Sequence, residues 1–297
     1  MSYYSRLTKA FQQAPVLPIT ERSRYVLISD CHRGNGTRSD NFLKNQNLYF
    51  AALSHYYEED YTYIEMGDGD ELWENRSMGQ ITEIHSNVFW LLNKFHQQNR
   101  LYMLYGNHDI IKKRKGYLNK SCQKYPHASV QEFQSLLKNS TYYSGVILAD
   151  KICNKELYLT HGHQASLLNS TLWPLARFLV RYVWSPLEHL GFNDPTSAAK
   201  NNTRKKKAET RLAHWAKTKD HILITGHTHR PMLGTPDSPY FNTGSCVHPR
   251  CITCIEIENR CFHLVKWTIG TRPDRTLFVS RVVLAPPICI DHYCQGK

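Results

Sequence analysis

Five short apolar segments between residues 25 and 229 each end in side chains able to bind a metal or move a proton. Tyr102-Met-Leu-Tyr105 stops at Gly106 and presents Asn107, His108 and Asp109 in succession. Tyr25-Val-Leu-Ile-Ser29 leads into Asp30, Cys31 and His32, and Tyr63-Ile-Glu-Met66 into Gly67 and Asp68. Leu157-Tyr-Leu-Thr160 delivers His161, and Ile222-Leu-Ile-Thr225 delivers Gly226, His227, Thr228 and His229. In α/β sheets the sites lie at the carboxyl ends of strands, where apolar residues give way to polar chemistry. Five repeats of this pattern commit the chain to an α/β fold with converging strand ends.

The intervening stretches fit that class. Residues 41–59 place Phe42, Leu48, Tyr49, Ala52, Leu53 and Tyr56 on an approximate helical stripe, and residues 81–98 form a second amphipathic helix. Residues 1–23, with Pro15 and Pro18, read as an irregular arm; 130–137 read as a helix and 146–148 as a strand. From residue 167 the chain becomes rich in Leu, Trp, Phe and Val, with Pro174 able to start a helix and Arg177 and Arg181 one turn apart. Basic residues 204–207 follow. Residues 164–220 are too long for a simple βα connection and read as a helical lid inserted into a single domain spanning 1–297. Strand-like runs at 240–242, 253–257, 261–268 and 276–284 predict a second sheet.

Collected, the strand-end residues Asp30, His32, Asp68, Asn107, His161, His227 and His229 form a nitrogen and oxygen ligand set without thiolate. Such a set suits Mn, Fe, Co or Zn. Seven groups exceed the need of one ion with open positions and fit two ions sharing a carboxylate, about 3.5–4 Å apart. Asp70 and Glu71 read as residues that orient ligands. His163 can face the metals or not, and His85 and His96 read as structural.

Asp30-x-His32, Gly67-Asp68-x-x-Glu71, Gly106-Asn-His-Asp109, His161 and Gly226-His-Thr-His229 resemble, in order, the motifs of the calcineurin-like metallophosphoesterases. The resemblance covers roughly residues 24–250, and Asn242-Thr-Gly-Ser245 is similar to the family's Asn-x-Gly-Ser turn. It implies a four-layer α/β/β/α sandwich. It also implies a first metal on Asp30, His32 and His229, a second on Asn107, His161 and His227, and Asp68 between them. Mn is the first expectation, with Fe, Zn or Co as alternatives. A bridging hydroxide would attack the phosphorus, while His108 protonates the leaving oxygen and Asp109 orients His108.

The substrate is less constrained. A net charge of +12 points to an anionic partner, a phosphate ester, a lipid or a nucleic acid, or else serves solubility. The lid's position is similar to that in the UDP-2,3-diacylglucosamine pyrophosphohydrolases, as is Leu72-Trp73. Those enzymes are shorter, usually carry Arg at the place of His108, and have Asp at the place of His163. A phosphodiester or pyrophosphate bond is therefore expected, with a lipid-linked pyrophosphate, single-stranded nucleic acid or a non-catalytic scaffold as alternatives. Nine cysteines and no apolar leader predict free thiols in a cytoplasmic protein, with peripheral membrane contact through the lid still open. Cys246, Cys251, Cys254 and Cys261 are read as buried thiols rather than a zinc site.

Overall fold

The computed structural model describes residues 1–37, 40–114, 140–184 and 201–294, with 116–117, 137, 187 and the backbones of 124–127 and 132–135 between them. Two sheets lie face to face. The larger is built on β2 (Arg24–Ile28), with β3 (Thr62–Glu65), β4 (Leu101–Leu104) and β7 (Tyr142–Tyr143) added in parallel on one side. On its other side β12 (Cys251–Glu258), β13 (Cys261–Thr271) and β14 (Leu277–Val283) run antiparallel, and β15 (Ile288–Cys289) pairs with β13. The smaller sheet has the order β1 (Val16–Ile19), β8 (Gly145–Asp150), β9 (Lys155–Thr160), β10 (Ile222–Thr225), β11 (Tyr240–Asn242).

Alternation along each strand sets the layers. Tyr25 and Leu27 join Ile64, Leu104, Leu148, Leu159, Ile224 and Ile255 in the core between the sheets. Val26 and Ile28 face the other way, into a cluster with Leu53, Tyr56, Leu92 and Phe95 of α2 (Gln46–Glu58) and α4 (Ser86–Gln97). The outer face of the smaller sheet offers Leu223 and Tyr240 to α1 (Tyr3–Ala10) and α7 (Asn202–Lys219), which supply Leu7, Leu212 and Trp215. The result is the expected α/β/β/α sandwich.

Local departures from expectation have physical causes. The first 23 residues are not irregular. Ser2 caps α1 by accepting from the Ser5 N–H, Leu7 and Ala10 are buried, and Pro18 sits in β1 at a sheet edge, where no ladder donor is missed. The expected 81–98 helix is two, α3 (Met78–Ile84) and α4, broken at His85. That ring is buried between Asp40 Oδ2 (2.8 Å) and Gln46 Oε1 (2.9 Å). The expected 130–137 helix is instead a strand over its described backbone, β6 (Glu132–Ser135), antiparallel to β5 (Lys124–His127); residues 130, 131 and 136 lie outside the described residues.

The 164–220 segment divides in two. Short helices α5 (Leu167–Ser170) and α6 (Trp173–Leu179) and a turn of π-helix (Val180–Trp184) lie near the strand ends. The α7 helix belongs to the outer layer of the smaller sheet. Residues 188–200, between the two halves, lie outside the described residues. The free-thiol expectation is corrected for four cysteines. Cys261 and Cys289 face each other in the β13–β15 ladder and are bonded, as are Cys153 and Cys294. Cys31, Cys246 and Cys254 are buried thiols and Cys251 is half-buried. Among the described residues Cys246, Cys251, Cys254 and Cys261 form no common metal-binding group.

Candidate metal centre

Strands β2, β3 and β4 are parallel neighbours, so their carboxyl ends deliver Asp30, Asp68 and Asn107 to one edge of the larger sheet. Strands β9 and β10, parallel in the smaller sheet, deliver His161 and His227 to the edge facing it. The turns are sharp. Asp30, His32, Asp68, His227 and His229 all have φ between 51° and 68°, a region that side chains other than Gly rarely adopt. Five such residues in one place mark a functional constraint. Gly106 and Gly226 permit the close approach: a Cβ on Gly106 would lie 2.1 Å from Asp68 Oδ1, and one on Gly226 would lie 2.4 Å from Asp30 Oδ2.

The ligand atoms converge in two groups. Asp30, His32 and His229 form one, with His229 Nε2 3.1 Å and His32 Nε2 3.8 Å from Asp30 Oδ1. Asp68, His161 and His227 form the other, with His161 Nε2 3.1 Å from Asp68 Oδ2. Asp68 Oδ2 is also 3.8 Å from His32 Nε2, so this carboxylate lies between the groups. Asp30 Oδ1, His32 Nε2, Asn107 Oδ1 and His161 Nε2 are buried without hydrogen-bond partners. Buried polar atoms are ordinarily satisfied, so the unsatisfied Asp30 Oδ1, His32 Nε2 and His161 Nε2, which face one space, fit a divalent metal centre.

The opposite edges of these side chains are fastened. His161 Nδ1 lies 3.1 Å from the Met66 carbonyl, and His32 Nδ1 lies 2.8 Å from Glu71 Oε2, which directs each Nε2 inward. Asp30 Oδ2 accepts from the His227 N–H (2.9 Å) and from Ser29 Oγ; Asp68 Oδ1 accepts from the His108 N–H (2.8 Å). Burial alone would raise the Asp30 and Asp68 carboxyls, but His229 and His161 overcome it at Asp30, and His161 and His108 at Asp68. Both are held well below the usual carboxylate range. His161 is buried, yet Asp68 and Asp30 push its pKa up to about 9.

His108 stands beside the ligands with its Nδ1 2.7 Å from Glu71 Oε2 and 2.8 Å from Oε1. Its ring stacks on Trp73 at 4.3 Å between centroids. Asp109, expected to orient His108, points elsewhere: Oδ1 accepts from the Gly106 N–H (2.7 Å), and Oδ2 is 3.1 Å from Lys112 Nζ. Glu71 occupies the position expected of Asp109. Lys112 is fully buried between Asp70 and Asp109, and Arg33 clamps Asp70 (2.7 Å) and Glu65 (2.8 Å) behind the site.

The 164–220 segment contributes residues that spacing could not reveal. Asn169 Nδ2 comes within 3.4 Å of His227 Nε2. Arg181 donates to the carbonyls of Leu72, Trp73 and Asn75, fixing the loop that carries Trp73. His163 is buried with a ring 5.5 Å from that of His161, and its Nδ1 has no partner.

A family profile described as calcineurin-like phosphoesterase matches residues 23–231. The chain belongs to the calcineurin-like phosphoesterases. Membership makes it a metal-dependent phosphoric ester hydrolase with a dinuclear divalent metal centre. No curated protein matches the chain. Among solved structures, a predicted phosphoesterase from Streptococcus pneumoniae TIGR4 is similar at 12% identity and a TM-score of 0.36, covering 89% of this chain and 99% of its own. A cold-active protein tyrosine phosphatase is similar at 16% identity and a TM-score of 0.41, covering 92% and 82%. Among the described residues, no helix of this phosphoesterase is long and apolar enough to cross a membrane.

Proposed function

We propose that this calcineurin-like phosphoesterase hydrolyses a phosphodiester or pyrophosphate bond. Asp30, His32 and His229 would hold one divalent ion, Asn107, His161 and His227 a second, and Asp68 both. When bound, such ions would supply Lewis acidity toward phosphoryl oxygens and lower the pKa of a water molecule. The residue chemistry on the leaving-group side belongs to His108. With Nδ1–H held by Glu71, its Nε2 is free to carry the proton that an alkoxide or phosphate leaving group needs. That pairing is the observation that carries the reading, because a leaving oxygen of high pKa requires an acid held in place.

The outer face of the lid favours a second reading in which the substrate carries a lipid. Leu172, Leu175, Phe178 and Tyr182 are exposed on successive turns. UDP-2,3-diacylglucosamine is the test molecule for that case.

The test is a panel of bis-p-nitrophenyl phosphate, the monoester p-nitrophenyl phosphate, UDP-2,3-diacylglucosamine and single-stranded DNA, with Mn added after removal of bound metal by EDTA. Mn-dependent cleavage of a diester or pyrophosphate that is abolished in Asp68→Asn is the expected result. Turnover that survives in Asp68→Asn, or cleavage confined to phosphate monoesters, would overturn the proposal.

A further inference from the structure

The basic run after Asp109 splits by destination. Lys112 is neutralised by Asp70 and Asp109, whereas Lys113 and Arg114 turn toward the lid. Lys113 Nζ and Arg114 Cζ each lie 5.6 Å from the Trp173 ring centroid. Arg177 follows Trp173 by one turn of α6, and its Nε is buried without an acceptor. Among the described residues no carboxylate pairs with Lys113, Arg114 or Arg177. Arg181, the next turn on, spends its donors on backbone carbonyls.

These cations oppose one another. Burial first, then Arg181, depresses the Arg177 guanidinium, with Arg114 adding to it; burial and then Arg114 depress the Lys113 ammonium. Arg177 is half-buried, whereas Lys113 and Arg114 are exposed; like charges gathered around a half-buried guanidinium without an acid repel one another, and a bound anion relieves that repulsion. The place is informative. Trp173 shares an apolar cluster with Trp73, Tyr105 and Ile110, and Trp73 is the residue stacked on His108. The cations therefore gather on the His108 side of the metal centre.

We propose that Lys113, Arg114 and Arg177 anchor a second anionic group of the substrate, a phosphoryl group carried on the leaving portion of the molecule. This rests on the phosphoesterase reading of the metal centre and goes further by naming a two-phosphate substrate. Arg177 Nε and the neighbouring Lys113 and Arg114 heads provide charge-assisted donors for phosphoryl oxygens. A substrate with one phosphoryl group would engage the metals and leave the anchor unused.

Non-hydrolysable probes test the anchor by binding alone. Methylphosphonate, propane-1,3-bisphosphonate and hexane-1,6-bisphosphonate would be titrated calorimetrically into the Mn-loaded full chain. At least one bisphosphonate should bind about tenfold or more tighter than methylphosphonate, the value of one charge-assisted contact. In Arg177→Gln, and separately in Arg114→Gln, that ratio should collapse toward one, with circular dichroism confirming that each variant folds. Equal binding of all three probes by the wild type would overturn the anchor, as would a ratio unchanged in both variants.

UDP and a diacylglycerol pyrophosphate in detergent micelles, as further titrants, distinguish a nucleotide from a lipid as carrier. Tighter binding of either than of methylphosphonate supports the anchor. The two readings fail separately. Cleavage of bis-p-nitrophenyl phosphate without bisphosphonate preference removes only the anchor; the preference without cleavage of any ester removes only the hydrolysis.

Discussion

Replacing Glu71 by Gln tests the arrangement of the site at its most connected residue. Its carboxylate lies 2.8 Å from His32 Nδ1 and 2.7 Å from His108 Nδ1, and also accepts from the Trp73 (3.2 Å) and Glu74 (3.3 Å) N–H groups. Burial would raise this acid, but His108 and His32 hold it far below the usual range, so the native carboxylate is ionised. A neutral amide has one oxygen and one NH2. Whichever imidazole meets the NH2 must turn its Nδ1 into an acceptor and move its proton to Nε2. At His32 that proton would block an ion; at His108 it removes the support for the imidazolium.

Losing a hydrogen bond to a charged group costs about 1.5–3 kcal/mol, which on the His108 side is about a 10- to 150-fold loss in rate. On the His32 side, such a partner is worth about 10- to 100-fold in metal affinity. The assay compares turnover of an alkyl diester with that of bis-p-nitrophenyl phosphate at saturating Mn, alongside Mn titration by calorimetry. The alkyl diester should lose the larger factor, because p-nitrophenolate leaves without a proton, and Mn affinity should fall in the same protein. Equal losses on both esters with native Mn affinity would refute the reasoning and reduce Glu71 to a brace for residues 71–75.

Two further outcomes follow from the same geometry. Mn uptake at pH 7 should release protons from His32 and His161, since both are held protonated before loading, His161 to about 9. Calorimetry in buffers of different ionisation enthalpy should show the release fading as pH rises through about 9, where the metal-free protein also loses the stability those ion pairs contribute; release independent of pH contradicts the assignment. Lys112→Met should cost about 3–5 kcal/mol by leaving buried carboxylates underpaired, lowering Tm by roughly 10 °C in a thermal melt. A shift under about 3 °C would show that Asp70 and Asp109 are satisfied without it.

The sequence was most informative where chemistry is local. Each candidate ligand follows the end of a strand within four residues, so Asp30, His32, Asp68, Asn107, His161, His227 and His229 could be read one motif at a time. Pairings across the fold were not legible. Asp109 is one residue from His108, yet the tight turn back to Gly106 directs its carboxylate away, and Glu71 arrives from the loop after β3. The burial of Lys112 was not legible either, because nothing in the spacing shows that Asp70 lies behind it. The α1 helix was missed because its support, Leu212 and Trp215, lies some two hundred residues away. Cys261 and Cys289 became partners only through the β13–β15 register.

The place of β2 has a consequence for biosynthesis. This strand carries Asp30 and pairs with β3 on one edge, but its other edge is completed only by β12, residues 251–258. A ribosome adding about 5–20 residues per second leaves that edge open for roughly 12–50 s after β2 emerges. During this interval the nascent chain displays an apolar strand able to pair with another polypeptide. Its yield in a cell will therefore depend on what shields β2 until β12 has emerged.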